Sequence, residues 1–512
     1  MGTDGKGLPF ELWRGLSQAD ADAALSRLSL PPRSPAIAGL LKRLLSSNAA
    51  PPVGGSPEQF LSLRIEALYR SGLVREAADL ITTNAGTKGA IITIQSARIA
   101  VSLGDKARGC GLIKGAELAR ADLPRLVKEQ GILTAAFCAA ASEDTAAAGL
   151  AAELIRDARI DAPVALTVLD AMAAGQPPRL ARAKRVSLLE NRFVELAGGI
   201  DPLKIVAAAT PDLLSFLATG PVADVRVRLV ASEAAARLNI IPPQELGRSY
   251  EAQGFSAADL ADPLQARLDP SLKRALLFKS ARLERRPERK VRLMRALLDD
   301  ARQAGLLGPV ALILAPRVAE VSASGALLGH EELAVEILLA AGKPAEARRM
   351  VILAARSAPQ GRAALHWLAL ADIADASPAA PRGEGLPELQ QLAVAGRLSP
   401  ELLHRVATVL DALLYNVPIP LWEAASRTPQ PTGGHLPETG VLSELQKAAK
   451  SQAFGRTILL TLRSLGPGGP TDTHMIALGD SIRALKAAGL EADARRLAFE
   501  ALFPIWPRRI AY

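Results

Sequence analysis

The chain has 512 residues, with Lys+Arg 61 against Asp+Glu 52 and a formal net charge of +9. Hydrophobic residues make up 49% of it and aromatics 4%, so its apolar content is mostly Ala, Leu, Val and Ile, small or helix-forming side chains rather than large core anchors. That length exceeds what a single compact core usually serves, the scarcity of alternating β-branched runs argues against a sheet-based fold, and a modest positive excess is only a prompt to look for a local basic patch.

From Met1 to Leu16 the chain is polar, with no apolar run that would announce a signal peptide. No later segment approaches the roughly 20 apolar residues of a membrane span, so the chain as written reads as soluble and cytoplasmic. Ser34-Pro35 and Ser56-Pro57 place a capping hydroxyl before a proline, a helix-start signal because a first-turn proline loses no helical hydrogen bond. Ser17 with Asp20, and Ser256 with Asp259, have the spacing of short-armed capping boxes. Residues 1–55 are expected to form an N-terminal helical cap, followed by helical repeats over 56–265.

Four glycines carry the main inference about architecture. Gly72, Gly104, Gly342 and Gly489 each follow an apolar helical run, and a small residue stands five positions later: Ala77, Gly109, Ala347 and Ala494. Glycine takes the left-handed conformation that ends a helix, and a small side chain lets the next helix approach closely. Ala136 to Ala148, with Ser142, Glu143 and Asp144 at its turn, reads as a divergent copy. These corners resemble the turn of the tetratricopeptide (TPR) helical hairpin, and the spacing from Gly72 to Gly104 is close to that repeat's period of about 34 residues. The resemblance covers half of the motif and implies an all-α, right-handed α-solenoid of TPR-like hairpins with little or no β-structure. After about Gln176, Pro177-Pro178 and then Pro242-Pro243 interrupt the spacing.

From Leu8-Pro-Phe-Glu-Leu-Trp13-Arg-Gly to Leu502-Phe-Pro-Ile-Trp506-Pro-Arg-Arg, the whole chain also resembles a family of Ala/Leu-rich helical proteins of alphaproteobacteria. Their label "antifreeze-like" derives from low-complexity leaders and implies no activity. Members of that family carry an export leader and a Pro-rich segment ahead of the Leu-Trp-Arg-Gly block, which makes a periplasmic, envelope-associated structural protein a further reading.

The cysteines, Cys110 and Cys138, fall in two predicted helices that the hairpin reading makes neighbours. A disulfide is geometrically feasible if their Cα atoms lie within roughly 7 Å; otherwise both serve as small buried hydrophobes. A disulfide would imply an oxidising compartment.

Residues 266–375 are expected to hold basic helices and further TPR-like repeats. Between Lys273 and Arg295, ten cations face two carboxylates, Glu284 and Glu288, a net +8 that nearly equals the excess of the whole chain. Arg282, Arg285, Arg286 and Arg289 are its candidate binding residues. Such a stripe suits phosphates or an acidic protein surface, but Phe278 is the one aromatic within it, so stacking platforms for nucleic acid are wanting. Alternatively the stripe is the solvated face of amphipathic helices.

Residues 376–440 read as a helical segment with two Pro/Gly-rich loops. Ala376 to Pro400 reads as a connection, and Ser426 to Gly440, after Trp422 and containing Gly433-Gly434-His435, as a long loop that either binds a partner or braces the stack; Gly466 to Thr473 reads as a shorter one. Trp422 and His435 are therefore candidate binding residues. Residues 441–512 are expected to form a last helical repeat and cap, with Trp13 and Trp506 covering the ends of the stack. The chain lacks a phosphate loop, a dinucleotide fingerprint and a nucleophile elbow, and its histidines are scattered without metal-ligand spacing. No cofactor or metal is expected. The leading expectation is a non-enzymatic scaffold or adaptor that binds a protein or extended peptide.

Overall fold

The computed structural model describes residues 8–116, 118, 123–142, 144–176, 185–198, 201–221, 224–322, 330–357 and 364–508. Among them the chain forms 28 α-helices and no strand; β-pairing is confined to two isolated bridges, Val186 with Ala209 and His435 with Thr473. None of these helices is long and apolar enough to cross a membrane. Glu143 and Pro177-Pro178 lie outside the described residues.

The four glycine corners are built alike. Gly72, Gly104, Gly342 and Gly489 have φ of +80°, +96°, +70° and +77°. At the first, the Gly72 N–H donates to the Tyr69 carbonyl and the Leu73 N–H to the Leu68 carbonyl, both at 2.9 Å. This is the Schellman pairing that satisfies the last carbonyls of a helix, and it recurs at Gly104, Gly342 and Gly489. Ala77, Ala347 and Ala494 are 0% exposed, wedged where the second helix meets the first. Gly109 is tighter still, since a Cβ there would stand 2.5 Å from Val101 Cγ2 and 2.9 Å from the Ala97 carbonyl oxygen. At the divergent corner, Asp144 caps helix Thr145–Asp157 by accepting from the Ala146 and Ala147 N–H groups, and Ala148 is fully buried.

The capping signals take the expected form. Ser56 accepts from the Gln59 N–H ahead of Pro57, Ser34 accepts from the Ile37 N–H, and Ser256 with Asp259 completes a reciprocal capping box. Pro242-Pro243 starts a helix, because Pro243 occupies the first turn of Pro243–Glu251, where its missing N–H costs nothing. The Ala376 to Pro400 connection contains a helix of its own, Leu386–Val394.

Contacts divide the chain into two units. One comprises Ser17–Leu25 and Leu45–Ile241. Its consecutive helices pack in pairs, Pro57–Arg70 with Val74–Thr83, Ala90–Ser102 with Lys106–Lys114, and Arg125–Ala140 with Thr145–Asp157. Phe137 meets Phe193 edge to face at 5.5 Å in the Ala-rich core. Arg98 pairs with Glu66 at 2.7 Å while its guanidinium lies 3.6 Å from the Tyr69 ring centre.

The other unit comprises Met1–Leu16, Ser26–Leu44 and Pro242–Tyr512. The first 44 residues, read from the sequence as part of one cap, thus divide between both units. In this second unit the beginning of the chain is bound to its end. The Gly455 N–H donates to the Leu12 carbonyl at 2.7 Å, Glu500 accepts from the Ser34 hydroxyl and the Ala36 N–H, and Arg43 pairs with Asp493. Trp13 and Trp506 are both buried, and Trp506 stacks beside His366, itself 0% exposed.

Candidate functional site

The basic run folds into two helices, Pro270–Leu283 and Pro287–Gln303. Asp269 caps the first through the Leu272 N–H. The apolar faces carrying Leu276, Leu277, Val291, Leu293, Leu297 and Leu298 are buried, and of the ten cations Arg274 alone is buried with them.

Most of those cations are then engaged by the protein itself. The Lys273 ammonium donates to the carbonyls of Pro263, Leu264 and Ala266 at 2.7 to 2.9 Å, and Lys279 to that of Gln253 at 2.8 Å. Arg274 pairs with Asp300 at 2.6 Å, Lys290 with Glu320 at 2.8 Å, Arg282 with Glu251 at 3.3 Å and Arg295 with Glu336 at 3.9 Å. At the corner between the helices, Glu284 accepts from the backbone N–H groups of Arg285 and Arg286, both at 2.9 Å. The Arg286 guanidinium lies 3.6 Å from the oxygen that accepts both, and Arg289 reaches the other oxygen at 3.2 Å. The Arg286 N–H leads the causes that hold the Glu284 carboxyl below its ordinary range. Arg285 and Arg292 are exposed and have no such partner among the described residues. The positive stripe is therefore narrower than the sequence implies, and Arg292, absent from the four candidate residues, belongs with Arg285.

The loop after Trp422 is pinned along its length. His404 meets Thr428 at 3.1 Å, and Glu438 pairs with Arg463. His435 bridges to the shorter loop, its N–H donating to the Asp472 carbonyl at 2.7 Å while its carbonyl accepts from the His474 N–H at 3.0 Å. A Cβ on Gly466 would lie 2.5 Å from the His435 ring, so that ring rests on a residue without a side chain. Arg405 holds the shorter loop through the carbonyls of Pro470 and Thr471. These contacts give His435 a bracing place. Trp422 remains 44% exposed, with Ile419 at 72% and Leu414 at 76% around the same helical corner; the sequence reading named neither aliphatic residue.

A buried polar cluster also went unnamed. Asp372, 2% exposed, accepts from the Tyr415 hydroxyl at 2.8 Å, from Arg382 at 3.0 Å and from the Gly383 N–H at 2.6 Å. Arg495 donates to the Tyr415 oxygen at 3.0 Å. Burial is the main reason that the Tyr415 phenol is pushed up. Every member has its partner, so the cluster anchors the 377–385 segment.

Cys110 and Cys138 are joined by a disulfide across Cα atoms 5.6 Å apart. Among the described residues, no group of three or more His, Cys, Asp or Glu side chains is arranged to hold a metal ion. Compared with known proteins, the chain matches no family model, no curated protein and no solved structure.

Proposed function

We propose that the protein is a non-enzymatic scaffold or adaptor, an α-solenoid of TPR-like hairpins that binds a protein or extended peptide. The observation that carries this reading is the apolar corner of Leu414, Ile419 and Trp422, 76%, 72% and 44% exposed. Ile419 and Trp422 stand three apart on helix Ile419–Ser426 and so share a face. An exposed tryptophan flanked by aliphatic side chains is costly to leave in water and is the residue type that most often anchors a protein interface. Repeated helical corners with small residues at the contact are consistent with a stacked array of hairpins, an architecture that offers extended binding surfaces.

The test is quantitative affinity purification from the native host with the wild type and with Ile419→Ala/Trp422→Ala. A set of partners lost in the variant at unchanged thermal stability is the expected result. Recovery of the same partners by both proteins would overturn the reading. The Cys110–Cys138 disulfide favours an oxidising compartment, the periplasm, over the cytoplasm. Alkylation of host extracts without prior reduction should then leave both cysteines unlabelled.

A further inference from the structure

Helix Glu491–Leu502 is followed by a short segment that sits against its surroundings as a bound peptide does. Phe503–Ile505 makes one 3-10 turn, and Trp506 continues it with φ −63° and ψ 135°, close to the polyproline II conformation. Pro504 and Pro507 have no N–H to satisfy, and among the described residues no backbone-to-backbone hydrogen bond ties 506–508 to another α-helix. The segment fixes its own shape. The Arg508 guanidinium donates to the carbonyls of Phe503, Pro504 and Trp506 at 3.1 to 3.2 Å and lies 5.5 Å from the Phe503 ring centre.

What receives the segment is specific. Glu336, 0% exposed on helix Glu331–Ala340, accepts from Arg508 Nε at 2.7 Å. His366, also buried, donates its Nε2 N–H to the Pro507 carbonyl at 3.0 Å. His366 and Trp367, at the start of helix Trp367–Ala374, lie 6.3 and 6.4 Å from the Trp506 indole between ring centres, and Trp506 is 1% exposed. Carboxylate, imidazole and aromatic wall thus each take a different group of the segment: a guanidinium, a carbonyl and an indole. Departure of Arg508 does not strand the carboxylate either. Arg302 and Arg295 of helix Pro287–Gln303 stay 2.5 and 3.9 Å from it, so no uncompensated buried charge is left behind. Even with Arg508 seated, Glu336 Oε2 accepts no hydrogen bond among the described residues.

We infer that Phe503–Arg508 is an intramolecular ligand in a peptide site built by Glu336, His366 and Trp367. A partner's extended segment of the same chemistry, a large aromatic side chain followed two residues later by arginine, displaces it. This deepens the protein-binding reading by naming the peptide, and rests on that reading. The site is closed in the isolated protein, because a ligand on the same chain competes at high effective concentration. A phosphate-bearing partner is disfavoured by the buried carboxylate that receives the cation.

The probe is a fluorescein-labelled synthetic peptide with the sequence of residues 503–508, titrated with the full-length protein and followed by anisotropy. Trp506→Ala/Arg508→Ala in the protein weakens the internal competitor and is expected to raise peptide affinity at least about tenfold over the wild type. Arg508→Ala alone leaves the indole seated and should give a smaller rise in the same direction. On the double variant, a peptide carrying Arg508→Gln should bind about tenfold more weakly than the unaltered one, because it cannot pair with Glu336. Equal peptide affinity in the wild type and both variants, binding to none of them, or indifference to the arginine of the peptide would overturn the inference. So would loss of cooperative melting in both variants, which would make the segment part of the core rather than a ligand. If the inference fails in any of these ways while Ile419→Ala/Trp422→Ala still loses its partners, the scaffold reading stands without it.

Discussion

Gly72 and Gly489 adopt the same left-handed corner in different surroundings. A Cβ at Gly489 would meet nothing within 4 Å, whereas at Gly72 it would lie 2.7 Å from the Pro211 carbonyl oxygen, backbone that cannot swing aside. Gly489→Ala should therefore cost only the conformational penalty, about 1–2 kcal/mol, and Gly72→Ala more, read as the larger shift in denaturant midpoint. Glu500 makes a second prediction at this scale. Its stem is partly exposed, but its carboxyl group is enclosed at the start of helix Pro35–Leu45, and burial pushes it up to about 7 despite the Ala36 and Ser34 donors. A carboxyl raised in the folded state favours the neutral form, so its stabilising effect is complete below the unfolded value near 4.5 and is lost as pH rises through about 7. The difference in stability between wild type and Glu500→Gln should change by about 3 kcal/mol between those limits and be flat above them. Thermal melts across that range check the slope.

Helix Lys106–Lys114 is weak by its own sequence. It contains Gly109 and Gly111, each costing about 1 kcal/mol relative to alanine, and only Gly109 and Ile113 are buried. The disulfide from Cys110 to Cys138 ties it to helix Arg125–Ala140 across a separation of 28 residues. Loop-closure entropy makes such a link worth about 3.6 kcal/mol. Reduction, or Cys110→Ser/Cys138→Ser, should speed amide exchange over 106–114 by at least about tenfold while Pro57–Arg70 keeps its protection; unchanged exchange would mean that Ile113 and the close approach of Gly109 suffice. Element boundaries were legible wherever glycine or proline marked them. Corners that use the same left-handed conformation at Arg159, Leu414 and Gln452 were not, because an ordinary side chain there leaves no mark in the sequence and is held in place by the packing around it.

At the scale of the molecule, an array of hairpins in which each touches only its neighbours keeps its two ends apart. The unit containing Pro242–Tyr512 differs, since Leu12, Ser34 and Arg43 are bound to Gly455, Glu500 and Asp493. Deleting residues 1–44 should expose helices Phe454–Leu465 and Glu491–Leu502 to fast amide exchange; full retention of protection there would show that those contacts carry little of the unit's stability. The sequence by itself determined that the chain is helical, where many helices begin and end, and which small residues face the corners, because capping, glycine conformation and apolar spacing act within a few residues. Only the tertiary structure decided that Glu251, Glu284, Asp300, Glu320, Glu336 and backbone carbonyls engage most of the basic run, that His435 braces a loop while Trp422 stays exposed, and that Leu12 and helix Pro35–Leu45 join the last helices. Those outcomes depend on which distant groups meet, and a charge or a ring is spent or left free only once its neighbours across the fold are in place.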